Sequence, residues 1–257
     1  MAASKRKVRR QVSLVLGGGV GLGAYQAGAY EALHDRDLPP EWLAGSSVGG
    51  VNAALIAGNA PDDRIERLRE FWSGGAWAIP APASVGIAGP LRHAENWMSV
   101  LHARIFGVSG HFRPRISAAP FERFASLYDL SPMRARLATL IDFDRLNGSG
   151  PRVSINTTDL ETGDMVVFDT EQGARIEVAH LMASCGYLPE FAPVEIGGRL
   201  LGDGGLSANA PAEIVIGGHA PSEEHIVFVL DLFARDGERP SGLESALARK
   251  NDLMFGK

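Results

Sequence analysis

The chain has almost no cysteine: Cys185 stands alone among 257 residues. No intrachain disulfide can form, and a zinc centre built on cysteines is excluded. A reducing compartment is the default expectation. An excess of positive charge is also lacking. Asp and Glu number 30 against 25 Lys and Arg, a net charge of -5, which argues against a nonspecific nucleic-acid partner. Long apolar runs are missing too. No stretch approaches the ~20 continuous apolar residues of a membrane-spanning helix. The basic opening MAASKRKVRR does not read as a secretory signal, because the apolar run Val12–Leu16 is short and ends in glycines. Residues 1–10 are expected to be a disordered tail, whose bases offer weak contact with anionic headgroups. These absences predict a cytoplasmic protein in at most peripheral contact with a membrane. Asp159, Asp164 and Asp169 lack the loop spacing of a calcium site, and no metal or cofactor is expected.

Glycine and small apolar residues are plentiful: 31 glycines, with 45% of the chain hydrophobic. That suffices for a sizeable core in one large domain. The opening pattern is strand Val12–Leu16, glycine loop Gly17–Gly23, helix Ala24–Asp35, strand Trp42–Ala44, then helix from Val48 to Gly58. Strand, helix, strand, helix within about 50 residues signals a parallel sheet with right-handed crossovers. An amphipathic helix covers Asp62–Trp72. The Gly-, Ala- and Pro-rich stretch 73–115, with Trp77, Trp97, Phe106 and Phe112, reads as an insertion that caps an apolar entrance or packs onto the core. Ser131-Pro132 opens a helix with Ser131 as its N-cap. Glu161-Thr162-Gly163 and Gly197-Gly198 each read as the turn of a hairpin. His225–Leu232 is apolar enough to predict a central strand, and a helix from Ser241 to Met254 ends the pattern.

Gly45-Ser46-Ser47-Val48-Gly49 carries the strongest chemical signal. It is a G-x-S-x-G turn between a short strand and a helix, where small residues flank the serine so that the backbone bends sharply and exposes the hydroxyl. Acyl transfer needs that nucleophile, a base, and donors for the developing oxyanion. The glycine loop Gly17–Gly23 ends the first strand, on the same sheet edge as the serine turn. Its N–H groups at a helix start favour negative charge. A dinucleotide reading of Gly19-x-Gly21-x-x-Ala24 fails, because the acidic residue expected about 20 positions on is replaced by Gly45-Ser46-Ser47. No Gly-Lys-Ser/Thr follows, so a phosphate loop fails as well. Three residues compete as base. His219 and His225 suit a triad by their late position, and Asp203 lies in Leu201-Gly202-Asp203-Gly204-Gly205. The residues alone leave that choice open.

The glycine loop running into Gly23-Ala24-Tyr25-Gln26-Ala27-Gly28, the turn Gly45–Gly49 and Asp203-Gly204-Gly205 together resemble the patatin-like phospholipases. So do Ala183-Ser184-Cys185 through Pro189, Phe191 and Pro193-Val194, and Asn209-Ala210-Pro211. The likeness spans residues 12–233 and is greatest to bacterial members. It implies a three-layer α/β/α fold with a mainly parallel sheet, and a Ser47–Asp203 dyad with Asp203 as general base. It implies an oxyanion hole from Gly18, Gly19 and Val20. Gly17, Gly21, Gly23, Gly45, Gly49, Gly204 and Gly205 are then the motif glycines. The expected substrate is a lipid or other acyl ester, hydrolysed through an acyl-enzyme. Two departures stand out: Val20, where the family often has glycine, and Leu22, where many members have a basic residue. The resemblance divides the chain into a tail at 1–10, a catalytic domain at 11–233 with the insertion 73–115, and a helical segment at 234–257. In such bacterial relatives an extension follows, so Lys257 is expected to stand inside a longer protein.

Overall fold

The structure, a computed structural model, describes residues 11–73, 102–115, 126–218 and 225–256. In chain order the elements are β1 (Gln11–Leu16), α1 (Gly23–His34), β2 (Trp42–Ser46), α2 (Val48–Ala57), α3 (Arg64–Ser73), β3 (Arg113–Pro114), β4 (Tyr128–Asp129), α4 (Ser131–Leu140) and α5 (Phe143–Leu146). There follow β5 (Arg152–Asp159), β6 (Met165–Asp169), α6 (Val178–Ser184), β7 (Val194–Ile196), β8 (Arg199–Gly202), α7 (Ala212–Gly217), β9 (His225–Leu230) and α8 (Leu243–Phe255).

Four neighbouring strands, β5-β2-β1-β9, run parallel. An antiparallel wing adds β6 to one edge of β5, and the β7–β8 hairpin joins through β8. Burial on both faces explains the largely apolar runs of β1 and β2. In β1 and β2, Leu14, Leu16 and Leu43 belong to the large core beneath α2, whereas Val15, Trp42 and Ala44 pack with Val215 of α7 on the other face. Helices therefore cover both faces, as expected. All ten residues of α2 are buried. Its small side chains let that helix lie close under β1, β2 and β5 without an exposed face.

The pairing of β5 fixes the position of the site. Residues 154–158 pair with β6 along one edge. On the other edge β2 occupies 152–156, and β8 takes over at Thr158 and Asp159. Where β2 turns away at Ser46, β8 fills the vacated edge, and its next residue is Asp203.

Both hairpins form at the expected turns. The second closes through Gly197 and Gly198, whose φ values of 60° and 78° suit glycine. Two expectations are corrected. Ser131 lies inside α4 rather than capping it: its N–H and hydroxyl donate to the Asp129 carboxyl at 2.9 and 2.6 Å, so Asp129 supplies the acceptor. Among the described residues β9 is an edge strand, not a central one, pairing only with β1; its apolar residues are only partly buried, and Val229 is exposed. Of the expected insertion, 74–101 lies outside the described residues, as do the tail 1–10 and His219. The described part packs onto the body. His111 lies against Phe71 and Trp72 of α3, and Phe112 against Tyr128 and Phe191.

Candidate active site

Ser47 sits between β2 and α2 with φ 52° and ψ −125°. A non-glycine residue there stores of the order of 1–3 kcal/mol of strain. The flanking glycines are required by space. A Cβ on Gly45 would lie 2.5 Å from the Gly49 carbonyl, and one on Gly49 only 2.0 Å from the Leu16 carbonyl. Any side chain at either position would lift α2 off the sheet and unbend the turn. The Ser47 N–H donates to the Ser184 hydroxyl at 2.8 Å, which in turn donates to the Asn156 carbonyl at 2.8 Å. The end of α6 and β5 thus hold the turn from outside.

Asp203 is 4% exposed. The Gly205 N–H donates to its Oδ1 at 2.7 Å, and the Thr158 hydroxyl donates to its backbone carbonyl at 2.7 Å. Asn156 Nδ2 steadies the following turn, donating to the carbonyls of Gly204 and Ala208 at 3.0 and 2.9 Å. Gly204 is glycine because a Cβ there would lie 2.4 Å from the Asn156 carbonyl. Ser47 and Asp203 come together: the serine hydroxyl is close enough to the carboxyl to draw its pKa down. Burial raises the Asp203 pKa from 3.8 to about 6, against the opposing pull of Ser47 and the Gly205 N–H. Charge is disfavoured in the dry pocket more than two donors can restore.

Cys185 also reaches Ser47. Burial, and then the neighbouring Asp203 charge, push its thiol well above the usual range, so it is held neutral. Of the two histidines of the triad alternative, His219 lies outside the described residues and His225 does not join the site. His225 starts β9 opposite Gln11, with its Nε2 2.8 Å from the Ser13 hydroxyl. Ser47 follows the far end of the parallel β2. Five strand steps at about 3.3 Å separate these edges by roughly 16 Å. No described histidine contacts Asp203 or Ser47.

The glycine loop lies over the serine, with one change from expectation. Gly18 donates its N–H to the Asn209 carbonyl at 3.1 Å, and Gly17 donates to the Leu230 carbonyl at 3.1 Å. Gly18 is therefore removed from the expected oxyanion donors. Its role is clearance, since a Cβ there would lie 3.1 Å from the Ser47 Cβ and 2.7 Å from Asn209 Oδ1. The N–H groups of Gly19 and Val20 have no backbone acceptor among the described residues. Val20 has φ 49°, a strained value for a β-branched residue, and is 63% exposed. Gly23 packs on Trp72 and Val48, and Gly205 on Asn209, whereas a Cβ on Gly21 would meet nothing. No group of residues able to hold a metal ion occurs among the described residues.

Sequence reasoning assigned no role to Gln26, Asn52, Asn156, Ser184 or Asn209. All are buried, each with its side chain in a hydrogen bond. An amide in the otherwise apolar run VGGVNAALIAG was the available signal for Asn52.

A sheet with helices on both faces and a strained serine turn at its parallel strand ends defines an α/β protein built around a strand–serine–helix elbow. The chain belongs to the patatin-like phospholipase family, whose model matches residues 14–216. It is 40% identical to Lysophospholipase nte1 of Aspergillus terreus over 57 residues, 22% of this chain and 4% of that protein. Among solved structures it is similar to VipD from Legionella pneumophila, with a TM-score of 0.47 and 15% identity, covering 85% of this chain and 49% of VipD. The chain thus spans less than half the length of each. No helix among the described residues is long and apolar enough to cross a membrane.

Proposed function

We propose that this protein is a lipid acyl hydrolase that cleaves carboxylic esters through Ser47 and Asp203. The observation that carries the reading is the strained Ser47 within reach of a buried carboxyl whose pKa lies at about 6. An ordinary aspartate, with a pKa of about 3.9, is too weak a base for this work. One at about 6 is ionised at neutral pH and matched more closely to proton transfer. Asp203 takes the Ser47 proton as Oγ attacks the ester carbonyl. The oxyanion is held by the N–H groups of Gly19 and Val20, the alcohol leaves with the proton, and an acyl-enzyme remains. Water, deprotonated by Asp203, then releases the fatty acid and regenerates Ser47.

A lipid substrate is supported by the surroundings. Val20, Leu22 and Tyr25 on the glycine loop and α1, and Leu206 just after Asp203-Gly204-Gly205, are exposed apolar residues. A rim of that kind suits acyl chains better than charged headgroups, and Leu22 in place of a base adds no headgroup contact.

Fluorophosphonate labelling tests the nucleophile. Label on Ser47, lost in Ser47→Ala, is expected. Hydrolysis of aryl esters of increasing chain length and of phospholipid vesicles should vanish in Ser47→Ala and Asp203→Asn and persist in His219→Ala/His225→Ala. Loss in the folded histidine variant would overturn the dyad. A wild-type protein that binds vesicles and cleaves no ester would make it a lipid-binding protein instead.

A further inference from the structure

We infer that Asn52, with Gln26 and Trp72, is a positioning residue that braces both ends of the glycine loop over Ser47. This rests on the reading of that loop as the oxyanion site. Gln26 Nε2 donates to the Gly17 carbonyl at 2.7 Å, at the loop's entry. Asn52 Nδ2 donates to the Gly23 carbonyl at its exit, at 2.9 Å, and to Gln26 Oε1 at 2.9 Å. Trp72 Nε1 donates to Asn52 Oδ1 at 3.0 Å. The amide orientations are fixed by consistency: Asn52 Nδ2 faces two acceptors and Oδ1 a donor, and Gln26 donates to a carbonyl while accepting from Asn52. Gln26 and Asn52 are each 1% exposed, so these bonds act in a dry interior where an unpaired partner is costly.

The network spans three helices. Gln26 is on α1, Asn52 on α2 one turn beyond Ser47, and Trp72 on α3. The Trp72 ring also presses on Gly23, where a Cβ would lie 2.7 Å from it. The helix that presents the serine is thereby tied to the loop that covers it. Without the tie, Gly17 and Gly23 would keep their chain connections, but the Gly19 and Val20 N–H groups between them would lose their register with Ser47 Oγ. A donor that must meet a developing charge tolerates little error: a misplacement of about 1 Å can cost about 10²-fold in rate.

The test compares wild type with Gln26→Met, Asn52→Ala and Trp72→Phe in the full 257-residue chain. Trp72→Phe is the mildest, deleting one donor and keeping an aromatic ring, and it covers the case in which Asn52→Ala fails to fold. Two readouts are taken on each. The first is steady-state ester hydrolysis with inhibition by a trifluoromethyl ketone, which forms a tetrahedral adduct on the serine. The expected result is a fall in kcat of about tenfold to 10²-fold with KM retained, and ketone affinity falling in parallel. The second is amide hydrogen exchange of residues 17–23, which needs no activity and should quicken in all three. Variants with wild-type kcat and unchanged exchange in this loop would overturn the inference. So would loss of melting temperature with kcat and ketone affinity intact, since that is a purely structural role. If wild type hydrolyses no ester, the hydrolase reading fails, while exchange in the loop still decides whether the network braces it.

Discussion

Asp203 reaches Ser47 because β8 occupies the edge of β5 that β2 leaves free. Ser46 pairs with Asn156, and two residues further along β5 Thr158 pairs with Gly202. The two side chains are thus neighbours across one strand edge, despite lying far apart in sequence. One is strained and the other dehydrated, so both depart from their relaxed state.

Asp203 should make activity and stability respond oppositely to pH. Its carboxyl must be ionised to act as base, so kcat/KM is expected to rise through pH about 6 and level off above it. Its folded pKa is raised above the unfolded value of 3.8, so the folded state binds more protons between about pH 4 and 6. Stability therefore falls as pH rises across that window, by up to about 3 kcal/mol. Asp203→Asn should be inactive yet melt higher than wild type at pH 7 to 8, with the gain shrinking towards pH 4. Thermal melts across pH with a kcat/KM profile check both; an ascending limb centred near pH 4 would contradict the raised pKa.

Val20 offers a strain-relief experiment. Its φ of 49° favours glycine, and a valine there carries strain of about 1–3 kcal/mol, partly offset by the extra entropy glycine loses on folding. Val20→Gly should stabilise by about 1 kcal/mol with the N–H donor retained. Chemical denaturation reads the stability and ester turnover the activity. A destabilised variant would show that the Val20 side chain contributes packing beyond its exposed surface.

Gly49→Ala should abolish the elbow. The added methyl would meet the Leu16 carbonyl at 2.0 Å, a backbone atom that no rotamer can move. A cost of several kcal/mol is expected, of the order of 3 or more. Poor soluble yield, or a strongly lowered melting temperature with no fluorophosphonate labelling, is the anticipated outcome.

Arg152 separates folding from chemistry. It holds the buried Asp169 carboxylate through Nε and Nη2 at 3.0 Å, and stacks over Trp42 at 3.6 Å, at the opposite edge of the sheet from Ser47. Arg152→Ala would strand a carboxylate that is 1% exposed, at about 3–5 kcal/mol. Melting temperature should drop sharply while kcat, measured well below the melting point, stays near wild type.

The elbow and its glycines were legible in the sequence because their requirement is local: a backbone bend that only small flanking residues permit. So were the opening β–α–β–α pattern and both hairpins. The base was not legible from local pattern. Asp203, His219 and His225 were equally plausible by composition, and family resemblance alone favoured the aspartate. Strand register then set His225 at the far edge and Asp203 beside the serine. The oxyanion donors were half legible. A glycine loop announces N–H groups, but only the fold shows that Gly18 spends its own on Asn209.

By itself the sequence determined which segments become strands, turns and helices, and which serine stands on a strained turn, because those follow from side-chain shape and chain stiffness over a few residues. Only the tertiary structure decided which carboxyl Ser47 meets, how far burial lifts its pKa, and which amides tie the glycine loop down. Those depend on strand order, on exclusion of water, and on contacts such as Gln26–Gly17 and Asn52–Gly23, which form only once α1, α2 and α3 pack together.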